Sequence, residues 1–204
     1  MKTLIVSAHP DDEVLGCGGL ALKLKDCYSL VLNKGGRENP IFTDKVAQFM
    51  GFKRHWQLDF PDNRFDTVPL LDIVQEIEKV KNELRPQVIF THFEHDLNID
   101  HRITFEAVMT AFRPISGDSV KEIYSFEIPS STEWKFPLIF APNVFIDIED
   151  TIEKKIQAFQ LYDSEVREFP HPRSPEALRV IAKRWGVVGG LKCAEAFILI
   201  RKTR

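Results

Sequence analysis

Short unbroken apolar runs alternate along this chain with longer stretches in which apolar residues recur three and four apart. The runs, rich in β-branched and aromatic residues, predict strands at residues 3–8, 28–33, 55–58, 88–91, 123–128, 144–146 and 197–200. The stretches between them predict helices. One covers residues 13–25, where Asp11 or Asp12 can cap its start, and one covers 44–50, stopping at Gly51. A third covers 70–84, with Leu70, Ile73, Val74, Ile77 and Val80 as one stripe and Arg85-Pro86 as its stop. Three more fall at 101–112, 148–160 and 175–185. The segment 148–167, mixed in charge, reads as a solvated amphipathic helix without chemistry. Strand alternating with helix predicts an α/β, three-layer Rossmann-like fold with a mostly parallel sheet flanked by helices, as a single domain over residues 1–204. Sites in such sheets form beyond the carboxyl ends of the strands.

Bulk properties change this picture little. At 204 residues, 44% hydrophobic and 28% charged, the chain suits one soluble globular domain. A formal net charge of -3 without a basic run argues for no nucleic acid partner and no anionic membrane surface. No stretch approaches ~20 apolar residues, so no transmembrane segment is expected. Cys17, Cys27 and Cys193 are scattered and odd in number, which suits a reducing, cytoplasmic setting.

The most informative segment is Ala8-His9-Pro10-Asp11-Asp12-Glu13, which follows the first predicted strand and opens a helix. Adjacent carboxylates repel one another unless a cation relieves them. Alone, the segment reads as plainly as a capped strand-to-helix turn. A second polar cluster, His95-Asp96-Leu97-Asn98-Ile99-Asp100-His101, stands in the equivalent place after the strand at 88–91, with His92 close by. If the two strands are parallel neighbours, His9, Asp12 and His101 converge at one sheet edge. Two imidazoles and a carboxylate make an open site for Zn2+, with Fe2+ or Mn2+ using ligands of the same kind.

These residues resemble the signatures of the zinc-dependent N-acetylglucosaminyl deacetylase superfamily (PIG-L / LmbE-like), whose members act on N-acetylglucosaminyl-phosphatidylinositol, on mycothiol and bacillithiol precursors and on chitobiose. The first signature is similar to residues 8–13, the second to 96–102 with the helix containing Ala107, and the closing one to 190–197. The resemblance implies metal binding by His9, Asp12 and His101 and a catalytic base at Asp11. It implies hydrolytic removal of an acetyl group from an N-acetylated sugar, nucleotide sugar or sugar conjugate, and self-association as a homo-oligomer. One position departs: the family often carries His where this chain has Asn98. An amide donates a hydrogen bond but delivers no proton at neutral pH. Asn98 is therefore expected to steady an oxyanion, with Asp11 acting as base and then acid, or with help from His171.

Substrate-reading candidates lie on loops at the same end. They are Arg37 beside Gly35-Gly36, Asp62 and Asn63 after the third strand, Trp134 as a face for a pyranose ring with Glu133 nearby, and Arg173 as an anion handle. Each has an ordinary turn or packing reading as well. Asp100 is expected either to orient His101 or to cap its helix. Three other functions fit parts of the pattern. A non-haem iron oxygenase shares the ligand types but commonly uses a His-x-carboxylate spacing on a β-barrel. A metal-dependent phosphoesterase would need a second ion, for which His92, His95 and Asp96 are the candidates. A non-catalytic sugar- or nucleotide-binding domain needs no base.

Overall fold

The structure, a computed structural model, describes residues 1–35 and 40–203, of which 40–42 by their backbone. Arg37 lies outside the described residues. Seven strands, β1 (Thr3–Ser7), β2 (Cys27–Asn33), β3 (His55–Phe60), β4 (Val88–His92), β5 (Glu122–Phe126), β6 (Val144–Asp147) and β7 (Ala194–Lys202), form one sheet in the order β3-β2-β1-β4-β5-β7-β6. The first five run parallel, and β7 pairs antiparallel with both β5 and β6. The expected mostly parallel α/β sheet is thus observed.

Among the described residues six α-helices cover the sheet: α1 (Asp12–Ala21), α2 (Pro40–Met50), α3 (Leu70–Leu84), α4 (Ile99–Ala111), α5 (Ile152–Gln160) and α6 (Pro175–Gly189). Side chains alternate along a strand, so β1 feeds two cores. Leu4 and Val6 pack with Ile73, Val74 and Ile77 of α3 and Val108 of α4. Ile5 packs on the opposite face with Val14 of α1, Val46 of α2 and Phe159 of α5. That burial on both faces is why the central strands read as unbroken apolar runs.

Two helices end where local chemistry stops them. Arg85 closes α3 in the left-handed region, its amide donating to the Lys81 carbonyl at 2.8 Å, and Pro86 bars continuation. α1 stops short of the expected residue 25 and is penetrated by a buried ion pair. Glu195 accepts from the Gly19 and Leu20 amides at 2.7 and 2.8 Å, and Lys155 Nζ donates to the Leu15 carbonyl at 2.7 Å and to Glu195 at 2.6 Å. These are groups that an uninterrupted helical ladder would use among themselves.

The order of connections places the site. The chain moves from β1 outward through β2 to β3, then returns to add β4 and β5 on the other side of β1. The crevice beyond the carboxyl ends of β1 and β4 is the topological switch point of the sheet. His9 follows β1 and His101 follows β4.

Candidate metal and active site

Three ligand atoms meet in that crevice. His9 Nδ1 lies 3.2 Å from His101 Nε2 and 3.2 Å from Asp12 Oδ2, and His101 Nε2 lies 3.4 Å from the same oxygen. Ligands about 2.05 Å from a tetrahedral zinc stand ~3.3 Å from one another, so the triangle fits that ion. Second contacts fix which nitrogen faces inward. His9 Nε2 pairs with Asp100 Oδ2 at 3.0 Å, and His101 Nδ1 with Asp96 Oδ1 at 3.0 Å. With each outer nitrogen paired to a carboxylate, the two inner nitrogens and a carboxylate oxygen face one space, an arrangement suited to a cation. Asp12 Oδ1 is also buried without a hydrogen-bond partner.

The charge balance agrees. Burial pulls the His9 imidazole down, but hydrogen bonds to Asp100 and Asp12 together with their charges outweigh it and lift it to about 10. His101 is likewise raised against burial by the charge of Asp12 and by Asp12 and Asp96 hydrogen bonds. Asp12 is held well below the usual carboxylate range by His101 and His92 in spite of burial. A field that favours the charged form of both rings is one that favours a bound cation.

Asp11 stands beside the triangle, left-handed at φ 97°. It takes the N-cap position of α1, but neither it nor Asp12 caps the helix through its side chain. Asp12 Oδ2 instead accepts from the His9 amide at 2.9 Å. Burial and the nearby Asp12, Glu165 and Glu13 push the Asp11 carboxyl well above its ordinary value, opposed by Arg173.

Asn98 is the cap of α4, its Oδ1 accepting from the Asp100 amide at 2.8 Å and its Nδ2 donating to Asn63 Oδ1 at 3.2 Å. The capping bond fixes which end of the amide is the acceptor and which the donor. Asp62, whose Oδ1 accepts from Asn33 Nδ2 at 3.0 Å, lies 3.6 Å from His9 Nε2.

These groups line a cavity of about 410 Å³, whose walls include His9, Asp11, His101, Asp62, Asn63, Asn98 and Arg173. Trp134 and His171 do not line it. Trp134 is 45% exposed, and its ring meets His171 edge-on with centroids 5.4 Å apart. His171 Nδ1 accepts the Arg173 amide at 3.1 Å.

Several assignments differ from the sequence reading. Asp100 neither caps α4 nor orients His101; it holds His9 and accepts from the Phe65 amide at 3.0 Å. Asp96 orients His101 and is itself fixed by the Ser131 and Thr132 hydroxyls. The three candidates for a second ion are dispersed. His92 Nε2 accepts the Ala8 amide at 2.9 Å, Asp96 is committed to His101, and the exposed His95 sits beside Glu94. Among the described residues the other candidate ligand group, His9, Asp62 and Asp100, reuses the outer nitrogen of His9. The segment after α5 carries chemistry that its amphipathic pattern hid. Tyr162 is fully buried and donates to Glu13 at 2.7 Å, and Glu165 and Arg167 line the cavity.

Comparison with known proteins identifies the family of the chain. Residues 4–112, more than half the chain, match the family described as PIG-L: GlcNAc-PI de-N-acetylase. The diacetylchitobiose deacetylase of Thermococcus kodakarensis is 27% identical over 95% of this chain and 81% of its own length. A conserved protein of Thermus thermophilus superposes with a TM-score of 0.79 at 22% identity, covering 100% of this chain and 96% of that one. The 4-carboxy-2-hydroxymuconate hydratase of Pseudomonas putida superposes at 0.77 with 19% identity, covering 100% and 98%, so the fold by itself does not fix the reaction. With its signature residues gathered at the switch point of this sheet, the chain belongs to the PIG-L family of de-N-acetylases.

Proposed function

We propose that this protein is a zinc-dependent hydrolase that removes the acetyl group from an N-acetylated sugar, nucleotide sugar or sugar conjugate. The observation that carries the reading is the closed triangle of His9, Asp12 and His101 with Asp11 beside it at the cavity wall. Zinc held there would polarise the acetyl carbonyl and acidify a water.

The chain's own groups supply the rest. One Asp11 oxygen is engaged by Arg173, which leaves the other to take the proton of the attacking water. The same carboxyl returns that proton to the nitrogen, since an amine leaves and an amide anion does not. Asn98 Nδ2 is the donor for the oxygen of the tetrahedral centre, a role its capping bond pre-orients. Asp62 and Asn63 accept from and donate to sugar hydroxyls across the cavity. The buried Cys17 and Cys27 and the half-buried Cys193 are free thiols, in keeping with a cytoplasmic setting. Among the described residues no helix is long and apolar enough to cross a membrane.

The test is to incubate the zinc-loaded protein with a panel of N-acetylated sugars, including diacetylchitobiose, and nucleotide sugars. Free amine and acetate are measured. Equal release of both from at least one member supports the proposal. Turnover of phosphate esters but of no acetamide would contradict it.

A further inference from the structure

Four described residues other than glycine adopt left-handed backbone conformations, and three of them line the cavity: Asp11 at φ 97°, Asn63 at 53° and Ser130 at 73°. Residues with a side chain avoid this region unless their surroundings impose it. Two of the three are held in the same manner. The Asp11 amide donates to Glu13 Oε2 at 3.1 Å, and the Ser130 amide donates to Glu133 Oε1 at 2.8 Å. Glu13 is fixed in turn by the Tyr162 hydroxyl.

One side chain joins these two turns. Arg173 Nη1 donates to Asp11 Oδ2 at 2.8 Å, and Arg173 Nε donates to Ser130 Oγ at 2.8 Å and, more weakly, to the Pro129 carbonyl at 3.4 Å. Nη1 also reaches Glu165 Oε2 at 2.8 Å, so one guanidinium lies between two carboxylates. The Arg173 side chain is 18% exposed, and its backbone is set by His171 and by the Ser174 cap of α6. A residue that only reads substrate would leave more of its donors free toward the cavity.

We propose that Arg173 is a positioning residue for the base. It ties Asp11 to Ser130, occupies one carboxylate oxygen and thereby aims the other at the metal triangle. Glu165 balances the cation, and the planar fork of an arginine is what spans Asp11, Glu165 and Ser130 together. The inference rests on the reading of Asp11 as base.

The test compares zinc-loaded wild type with Arg173→Ala and Arg173→Lys. It measures kcat and KM on an acetylated sugar that the wild type hydrolyses, metal per chain, melting temperature and the crystal structure of each variant. For Arg173→Ala a fall in kcat of about 10- to 100-fold is expected, the range seen when supporting groups are removed. KM should stay within about twofold. Metal content should be unchanged, and the Asp11 carboxylate should be turned from its present place. Arg173→Lys, which reaches fewer partners, should restore part of kcat. A raised KM with unchanged kcat would make Arg173 a substrate anchor and overturn the proposal, as would an unmoved Asp11 in the alanine variant. If the wild type hydrolyses no N-acetylated sugar, the deacetylase reading falls, and the Asp11 position in the alanine variant still decides the tether.

Discussion

His101 Nδ1 lies 3.0 Å from Asp96 Oδ1, and that carboxylate is itself held by the Ser131 and Thr132 hydroxyls from the segment after β5. The second imidazole of the proposed metal triangle is therefore aimed by residues outside that triangle. Replacing Asp96 with Ala frees the ring to rotate and removes the acceptor that fixes its tautomer. Zinc affinity should fall by roughly 10- to 100-fold, read by competition with a chromophoric chelator. An unchanged affinity would mean that α4 packing alone orients His101.

Asp11 presents a different signature. It borders the triangle without contributing a ligand atom to it, so Asp11→Asn should keep a full complement of metal. Turnover should fall by about 10²- to 10⁴-fold, the range assigned to a general acid–base group. Metal analysis beside amine release separates the two effects, and unchanged turnover removes Asp11 from the mechanism.

Close packing of α1 also reaches the proposed metal site. A methyl group added at Gly16 would overlap the Phe126 ring. Phe126 meets His92 edge-on at 5.0 Å, and His92 stacks on His101 at 4.0 Å. Gly16→Ala is expected to cost on the order of 1–3 kcal/mol of stability, as overpacking does. It should also weaken zinc binding, measured by thermal melts with and without zinc. A loss of stability with affinity intact would show that the strain stops at Phe126.

A buried acid outside the proposed metal triangle gives a pH test. Burial lifts Glu127 from 4.5 to about 7, with the Trp185 indole N–H, Arg184 and Lys155 opposing and Glu133 assisting. Its proton is bound more tightly in the folded protein than in the unfolded chain. Stability from this group is therefore full below about 4.5 and is lost as pH rises through about 7. Glu127→Gln should flatten the decline of melting temperature between those values. An identical slope in both proteins would assign the decline to other groups.

The parts of the architecture that could be read from sequence were those with local causes. Helix α3 appears at Leu70–Leu84 because an apolar stripe and an Arg-Pro stop act within one stretch of chain. His9, Asp12 and His101 stood out because two polar clusters follow two apolar strands. The reversed direction of β7 left no trace, since pairing direction is not written in apolar periodicity. Its start at Ala194 was hidden by Glu195, a charge inside a strand that is tolerated through the distant Lys155. The Asp100 role was misread from adjacency. Consecutive helical residues do not face each other, so Asp100 turns to His9 across the crevice while Asp96 reaches His101. The parts played by Tyr162, Glu165 and Arg173 depend on where the chain returns after α5, which only the fold determines.

The most direct test of one metal gripped by His9, Asp12 and His101 is amine release from an acetylated sugar followed through chelation and stepwise return of zinc. Activity should vanish on chelation and recover in full at about one equivalent of zinc per chain, as a single three-ligand site requires. Turnover that survives chelation, or that recovers only at two equivalents, would contradict the account.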